Sequence, residues 1–218
     1  MLNFKDIKGK AAKSGPPRIK FTDGVNRFRM LGGILPMYVY WVPLADGSGK
    51  VPMECLGFNR EQEKFTNLEK DWVRHYFPDL NCSWSYKGLA IDRTDGEIKA
   101  VDHKKKLLQT IISFAESKGD PTDPDNGWDI VVNRVKTGNA AFNVEYNLEF
   151  GQIKNSALTE EEKAAYADFP SLDEYFQRPT PEDQKKFLEE KVAIPGADAP
   201  VESEDDLPED FMGDDVPY

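Results

Sequence analysis

The clearest structural signal in the chain is a pair of segments, WDIVVNRVK at residues 128–136 and FNVEYNLEF at residues 142–150. In the second segment apolar and polar residues alternate, so that every second side chain points to the same face of a strand. The linking Thr137-Gly138-Asn139 has the composition of a tight turn. The pattern predicts a β-hairpin of strands Trp128–Lys136 and Phe142–Phe150, in a sheet with one face in water.

Further β-prone segments precede this hairpin. The alternating RFRML at residues 27–31, the aromatic MYVYWV at residues 37–42 and a return strand at Val51–Phe58 are followed by strands at Ser83–Asp92 and Glu97–His103. About seven short strands separated by turns favour a barrel or a sandwich over a doubly wound sheet.

Helices are predicted in three places. Thr66 followed by Glu69 predicts a short helix over residues 66–77, and an apolar stripe predicts a stronger one over residues 105–117. After the hairpin, capping boxes at Thr159, Ser171 and Thr180 each open a short helix. The overall prediction is a mainly β protein with an inserted helix and a helical C-terminal segment.

The charge is distributed very unevenly. The net charge is −11, but residues 195–218 contain nine acidic and no basic residues, whereas residues 1–156 contain 23 basic and 20 acidic ones. The distribution predicts a basic N-terminal arm (1–17), a mildly basic body (18–156), a helical segment (157–194) and a disordered acidic tail (195–218).

Few features indicate an enzyme, a metal site or a membrane protein. Nucleotide-binding, serine-hydrolase and zinc-protease motifs are absent, and the chain has only two histidines. The loop Asp120–Gly127 misses the calcium-loop spacing, and Cys55, His75, Cys82 and His103 lack the paired spacing of a zinc site. We expect no catalysis and no cofactor, and no apolar run is long enough to span a membrane.

The body does combine aromatic with basic or polar residues on predicted strands, which is how single-stranded nucleic acid is held: cations neutralise phosphates and aromatic rings stack on bases. Alternation prevents Tyr38 and Tyr40 from sharing a face with Trp41, so one of these groups is expected in the core. Arg27 and Arg29 share a face and should not be buried without partners. The candidate DNA-binding residues are Arg27, Arg29, Tyr38, Tyr40, Trp41, Trp84, Tyr86, Lys87, Arg134, Lys136, Asn139 and Phe142.

The tail ends in Asp214-Asp215-Val216-Pro217-Tyr218. An acidic segment that finishes in an aliphatic residue, a proline and an aromatic ring is suited to a basic-rimmed pocket on a partner protein. This tip resembles the acidic Ile-Pro-Phe ends of bacterial single-stranded-DNA-binding proteins.

The body resembles a different group. FRMLGG at residues 28–33, YVYWV at 38–42, GDPTDP at 119–124 and VKTG at 135–138 are similar to segments of phage single-stranded-DNA-binding proteins of the T-even-like and marine myophage kind. The resemblance implies an OB-fold, a five-stranded Greek-key barrel, with an arm for self-association along DNA and a tail for replication and recombination proteins. Better-known members hold a zinc ion with one His and three Cys, a pattern from which this chain departs because it has two Cys.

The expected function is therefore sequence-independent coating of single-stranded DNA during phage replication, recombination and repair, in the cytoplasm of the bacterial host. Three alternatives stay open: an RNA-binding or translational-control protein, because stacking alone does not distinguish RNA from DNA, a metal-dependent nuclease, and an inhibitor that mimics DNA with its acidic tail.

Overall fold

The structure, a computed structural model, describes residues 17–139 and 143–194. The strands are β1 Gly24–Leu35, β2 Tyr38–Pro43, β3 Lys50–Glu54, β4 Phe58–Asn59, β5 Lys64–Phe65, β6 Ser83–Trp84, β7 Lys87–Asp92, β8 Ile98–Asp102, β9 Ile130–Lys136 and β10 Val144–Leu148. The α-helices are α1 Trp72–Tyr76, α2 Lys105–Lys118, α3 Glu160–Ala167, α4 Leu172–Tyr175 and α5 Pro181–Lys191.

The main sheet has five antiparallel strands in the order β10-β9-β1-β7-β8. Strands β1, β7 and β8 are neighbours in sequence order within this sheet, and β9 returns through α2 to lie on the other side of β1. The order β9-β1-β7-β8 is that of a Greek key. The mainly β prediction is confirmed, and the arrangement is compatible with an OB-like fold.

The predicted hairpin is present as β9 and β10, which pair from Lys136 opposite Val144 to Val132 opposite Leu148. Both strands are shorter than predicted. Trp128 is a buried residue before β9, and Phe150 begins a short 3-10 helix. Phe142 lies outside the described residues.

Strand β1 continues through Gly32-Gly33, beyond the alternating segment at residues 27–31 that predicted a strand here. Gly32 has φ +59, a conformation that favours glycine, and a side chain there would collide with Tyr166. The pairing of β1 with β7 shifts between Leu31 and Leu35, so the strand bends at the glycines instead of ending.

Both faces of the main sheet are covered. One face carries Phe28 and Met30 and packs against Leu107 and Ile111 of α2. The other face carries buried Leu31, Leu89 and Ile91 together with Leu158, and partly buried residues of the C-terminal segment pack on it, namely Tyr166, Phe169 and Leu172. The C-terminal helical segment therefore shares its core with the body.

A second unit is inserted between β1 and β7. Strands β3, β2 and β6 form a small sheet that packs on α1 and on Leu188 and Val192, at and just after the end of α5. The Gln184 side chain donates to the Glu54 carbonyl (2.9 Å) and accepts from the Trp72 amide (2.7 Å), so α5 holds this insertion in place.

Two predicted elements have different bounds in the structure. The helix predicted over residues 66–77 begins only at Trp72, because Asp71 caps it by accepting from the Arg74 amide, while the Thr66 amide donates to the Gly57 carbonyl. The strand predicted over Val51–Phe58 ends at Glu54. In contrast, α2, α3, α4 and α5 begin where the apolar stripe and the three capping boxes predicted.

Candidate nucleic-acid interface

A groove of about 900 Å³ lies where the inserted sheet meets the open end of the main sheet. Its walls come from β2, β6, the starts of β7 and α2, and β10. We call it the aromatic groove; the residues used below are Arg18, Trp41, Trp84, Tyr86, Lys87, Asp102, His103, Lys104, Lys105, Lys106, Glu145 and Tyr146.

Strand alternation brings aromatic rings to this groove. On β2 the side chains of Tyr40 and Val42 point into the core, which turns Trp41 outward with 48% of its surface exposed. Trp84 pairs with Tyr38 at the edge of the same sheet, and its ring stacks on Tyr86 with centroids 4.2 Å apart. The groove thus offers flat aromatic surface of the kind on which bases stack.

The Tyr86 hydroxyl is hydrogen-bonded to the carboxylate of Glu63. It donates to Glu63 Oε2 at 3.3 Å, and burial together with this carboxylate raises the pKa of Tyr86 to about 12. The hydroxyl therefore stays protonated at neutral pH, so Tyr86 presents a neutral ring to the groove.

Basic residues surround the rings. Lys87, at the start of β7, is buried and ion-paired with Asp102, and Arg18 Nη1 lies 3.0 Å from the other Asp102 oxygen. Burial lowers the pKa of Lys87, while burial alone would raise that of Asp102 and the bond from Lys87 lowers it. Lys87 therefore stabilises the charged form of the Asp102 carboxylate in the groove lining.

The start of α2 adds exposed positive charge. Lys104 Nζ lies 5.9 Å from the centre of the Tyr146 ring, and Lys105 and Lys106 are exposed. The lining includes five cations against the carboxylates of Asp102 and Glu145. The aromatic groove therefore joins stacking surface to net positive charge although the whole chain is acidic.

The structure brings together four of the predicted binding residues, Trp41, Trp84, Tyr86 and Lys87, which all line the aromatic groove. Three of them came from one β-prone segment that was predicted as a single strand. In the structure this segment is β6 and β7 with a break at Ser85-Tyr86, and the break allows neighbouring side chains to reach the same groove.

The prediction that Arg29 contacts DNA is wrong, because its side chain is completely buried. Its guanidinium donates to the carbonyls of Ser156 (3.0 Å), Met30 (3.1 Å), Pro121 and Asp123. A buried arginine needs partners, and for Arg29 these carbonyls are the partners. Arg29 fastens the loop before Trp128 and the segment before α3 onto β1.

Tyr40 is likewise wrong as a stacking residue, because it is 4% exposed in the core of the inserted unit. Its hydroxyl oxygen accepts from the Cys55 thiol at 3.3 Å. Tyr38 is half-buried and packs against Phe58 and Phe65 away from the aromatic groove. Strand alternation requires either the tyrosines or Trp41 to point inward, and in the structure the tyrosines do.

The remaining predicted residues lie outside the lining of the groove. Arg27 is exposed in a neighbouring cleft, and Arg134 forms an ion pair with Asp23. Lys136 is exposed opposite Val144, which does line the groove, and Asn139 is exposed in the turn. Phe142 and the tip residues Asp214 to Tyr218 lie outside the described residues.

Sequence reasoning missed other groove residues. Arg18, Tyr146 and the run Lys104–Lys106 line the groove but are not among the residues predicted to bind DNA. The only local signal was that run of three lysines at the start of a helix, where cations oppose the helix dipole.

The four candidate metal ligands do not come together in one site. Cys55 and Cys82 are in side-chain contact in the core of the inserted unit. The two histidines lie elsewhere: His75 packs against Trp72, and His103 is buried beside Gly88. Within residues 17–139 and 143–194, no three His, Cys, Asp or Glu side chains come together as a metal site. The residues present therefore do not fit the zinc site of the better-known T-even members. No helix in the described part of the chain has the length and apolar character needed to cross a membrane.

Comparison with known proteins shows a similarity to a phage protein. The chain is 29% identical over 210 residues to a probable ssDNA-binding protein of Escherichia phage T5, covering 78% of this chain and 79% of that protein. No family model matches the chain. The resemblance to phage single-stranded-DNA-binding proteins is confirmed by this relative.

Proposed function

We propose that this chain, which is similar to a phage protein named for binding single-stranded DNA, binds single-stranded DNA in the aromatic groove without sequence specificity. The observation that carries the proposal is the combination of Trp41 and the stacked Trp84–Tyr86 pair with the exposed lysines at the start of α2. Bases stack on the rings while the lysines neutralise phosphates, and neither contact depends on base identity.

The fold that supports this function is an OB-fold. In a five-stranded Greek-key barrel of this kind, ligands bind on the face of the second and third strands and at the loops after the first and fourth. Here those strands are β7 and β8, the first loop is the inserted unit and the fourth is the β9–β10 turn. The aromatic groove lies between the inserted unit, the β7 and β8 ends, and β10.

The wider role is inferred from charge. Residues 1–17 act as a basic arm for self-association along DNA, residues 18–156 as the binding domain, residues 157–194 as a helical support and residues 195–218 as an acidic tail. The tip Asp214-Asp215-Val216-Pro217-Tyr218 recruits replication and recombination proteins. The protein works in the cytoplasm of the bacterial host in phage DNA replication, recombination and repair, and it catalyses no reaction.

The test is a titration with oligo-dT, duplex DNA and oligo-U of one length at several salt concentrations. We expect the tightest binding to oligo-dT, weakening with salt because counterions are released when phosphates are bound. Equal affinity for duplex would contradict the proposal, and a clear preference for oligo-U would favour the RNA-binding alternative. Incubation with magnesium in the same samples detects any nuclease.

A further inference from the structure

A second cleft, of about 490 Å³, lies beside the aromatic groove. We call it the basic cleft and define it by Arg18, Lys20, Arg27, Asp92, Asp95 and Lys99. It is formed by the segment leading into β1, the first half of β1 and the β7–β8 turn. Its charged lining therefore has four cations against two carboxylates.

Two of these cations are available to a ligand. Lys99 Nζ forms ion pairs with Asp92 (2.7 Å) and Asp95. Both carboxylates of the cleft are therefore already paired with Lys99. Lys20 and Arg27 are exposed, and within residues 17–139 and 143–194 neither forms an ion pair. Phe28, the aromatic residue in the lining, is buried, so this cleft offers charge without stacking surface.

Arg18 belongs to both sites. Its guanidinium reaches Asp102 in the aromatic groove, while its side chain also lines the basic cleft. Its backbone is fixed, because the Ala100 amide donates to the Pro17 carbonyl (2.9 Å) and the Ile19 amide donates to the Ala100 carbonyl (2.8 Å). A fixed cation therefore stands where the two sites meet.

We propose that a bound single strand continues from the aromatic groove past Arg18 into the basic cleft, where Lys20 and Arg27 bind its phosphates without contacting bases. The inference rests on the proposed function and divides the binding track into a stacking subsite and a phosphate subsite. It also assigns a role to Arg27, which lies too far along β1 to line the aromatic groove.

The experiment compares oligo-dT of increasing length, from about 4 to about 20 nucleotides, a span that covers the site sizes of single OB-folds. The variant is Lys20→Ala/Arg27→Ala. The matched control is Lys118→Ala/Lys186→Ala, which removes the same charge from exposed helix positions outside both sites. Quenching of tryptophan fluorescence reports occupancy of the aromatic groove.

We expect the variant to bind the shortest oligonucleotides like the control and the longer ones more weakly. Loss of two phosphate contacts should reduce the salt dependence for long strands by about 1.4 in log–log slope. Between 50 and 200 mM salt, the control should then lose about sevenfold more affinity than the variant. Arg18→Ala should weaken binding at every length.

Two results would overturn the two-subsite track: equal weakening of the variant at all lengths, or variant and control that match at all lengths. Both leave single-strand binding itself intact. Failure of the proposed function is a different result, in which the unmodified protein does not bind oligo-dT of any length.

Discussion

At the scale of single residues, Trp41 is the most direct test of the aromatic groove. Its ring is 48% exposed on a strand whose neighbouring side chains form a core, so the fold does not depend on it. Loss of one stacking interaction weakens binding by about 1–3 kcal/mol, or roughly 5- to 150-fold. We expect Trp41→Ala to lose oligo-dT affinity in this range without a change in melting temperature, and Trp41→Phe to retain most of it.

Phe150 is the matched control for Trp41. It is 52% exposed but lies after β10, outside the groove. Phe150→Ala should leave oligo-dT affinity unchanged. Titration with oligo-dT, followed by tryptophan fluorescence, measures the affinity of both variants. Equal losses in Trp41→Ala and Phe150→Ala would mean that the aromatic groove is not the binding site.

Arg29 and Arg27 separate stability from binding. Arg29→Ala removes a buried guanidinium and leaves the carbonyls of Pro121 and Ser156 without a donor, whereas the Asp123 carbonyl still accepts from the Gly127 amide (2.9 Å). We therefore expect the free energy of unfolding to fall by at least about 2 kcal/mol. Arg27→Ala changes an exposed residue and should alter the free energy of unfolding by less than about 0.5 kcal/mol. Chemical denaturation measures both; an Arg29→Ala protein as stable as the unmodified one would contradict its structural role.

His103 makes stability depend on pH. Burial lowers the pKa of its ring to about 4, and among the described residues its Nε2 has no hydrogen-bond partner. The unfolded chain, with an ordinary pKa near 6.5, binds the proton more readily. Stability should therefore fall by about 3 kcal/mol as the pH drops from about 6.5 to about 4, and change no further through this group below that.

The measurement is denaturant unfolding at a series of pH values, compared with His103→Gln and His75→Gln. His103→Gln should flatten the dependence between pH 6.5 and 4.5, whereas His75→Gln, at an exposed ring, should keep most of it. The carboxylates contribute little to the slope above about pH 5, because Asp92, Asp102 and Glu162 have lowered pKa values and their contributions are lost progressively below about pH 5. An unchanged slope in His103→Gln would place the titrating group elsewhere.

At the scale of elements, the sequence predicted what local signals specify. The alternation of β10, the apolar stripe of α2 and the capping residues Thr159, Ser171 and Thr180 each act within a few residues, and the structure has those elements. The burial of Arg29 could not be predicted from local signals, because three of its hydrogen-bond acceptors lie 92, 94 and 127 residues further along the chain.

In the candidate site, too, local signals predicted part of the structure and long-range contacts determined the rest. Alternation alone showed that Trp41 and the tyrosines of β2 face opposite ways, but only the position of the core decides which of them is exposed. The role of Lys104 likewise depends on Tyr146, which the hairpin brings beside it. Tertiary contacts of this kind leave no pattern in a single sequence.

The C-terminal helices are expected to be necessary for folding. A chain that ends at residue 156 lacks Leu158, Leu188 and Val192, which are buried in two of the hydrophobic clusters. We expect this fragment to lose cooperative thermal unfolding by circular dichroism, and a chain that ends at residue 194 to melt like the full protein. A sharp transition in the shorter fragment would show that residues 18–156 fold alone.

At the scale of the whole molecule, the acidic tail should compete with DNA. Deleting residues 195–218 removes nine carboxylates, so oligo-dT affinity should rise, most strongly at low salt, where charges act over about 30 Å at 0.01 M. A full-length chain with those nine residues changed to Asn or Gln should behave like the deletion. Unchanged affinity in both proteins would exclude competition.

Removing only Val216-Pro217-Tyr218 tests the tip separately. All nine carboxylate side chains stay, so DNA affinity should change little, whereas binding to a replication or recombination protein should be lost. Pull-downs from infected-cell lysate with full-length and truncated protein compare the two. Recovery of the same proteins by both baits would contradict partner recruitment by the tip.

The position of β1 between β7 and β9 has a consequence for how the chain folds. β1 is made early, but its partner β9 follows about a hundred residues later. At a synthesis rate of about 5–20 residues per second, one edge of β1 waits roughly 5–20 s for its partner. Contacts this distant in sequence also slow refolding to the millisecond-to-second range. During that interval the open edge of β1 can pair with other chains, so the nascent protein is exposed to aggregation until the hairpin arrives.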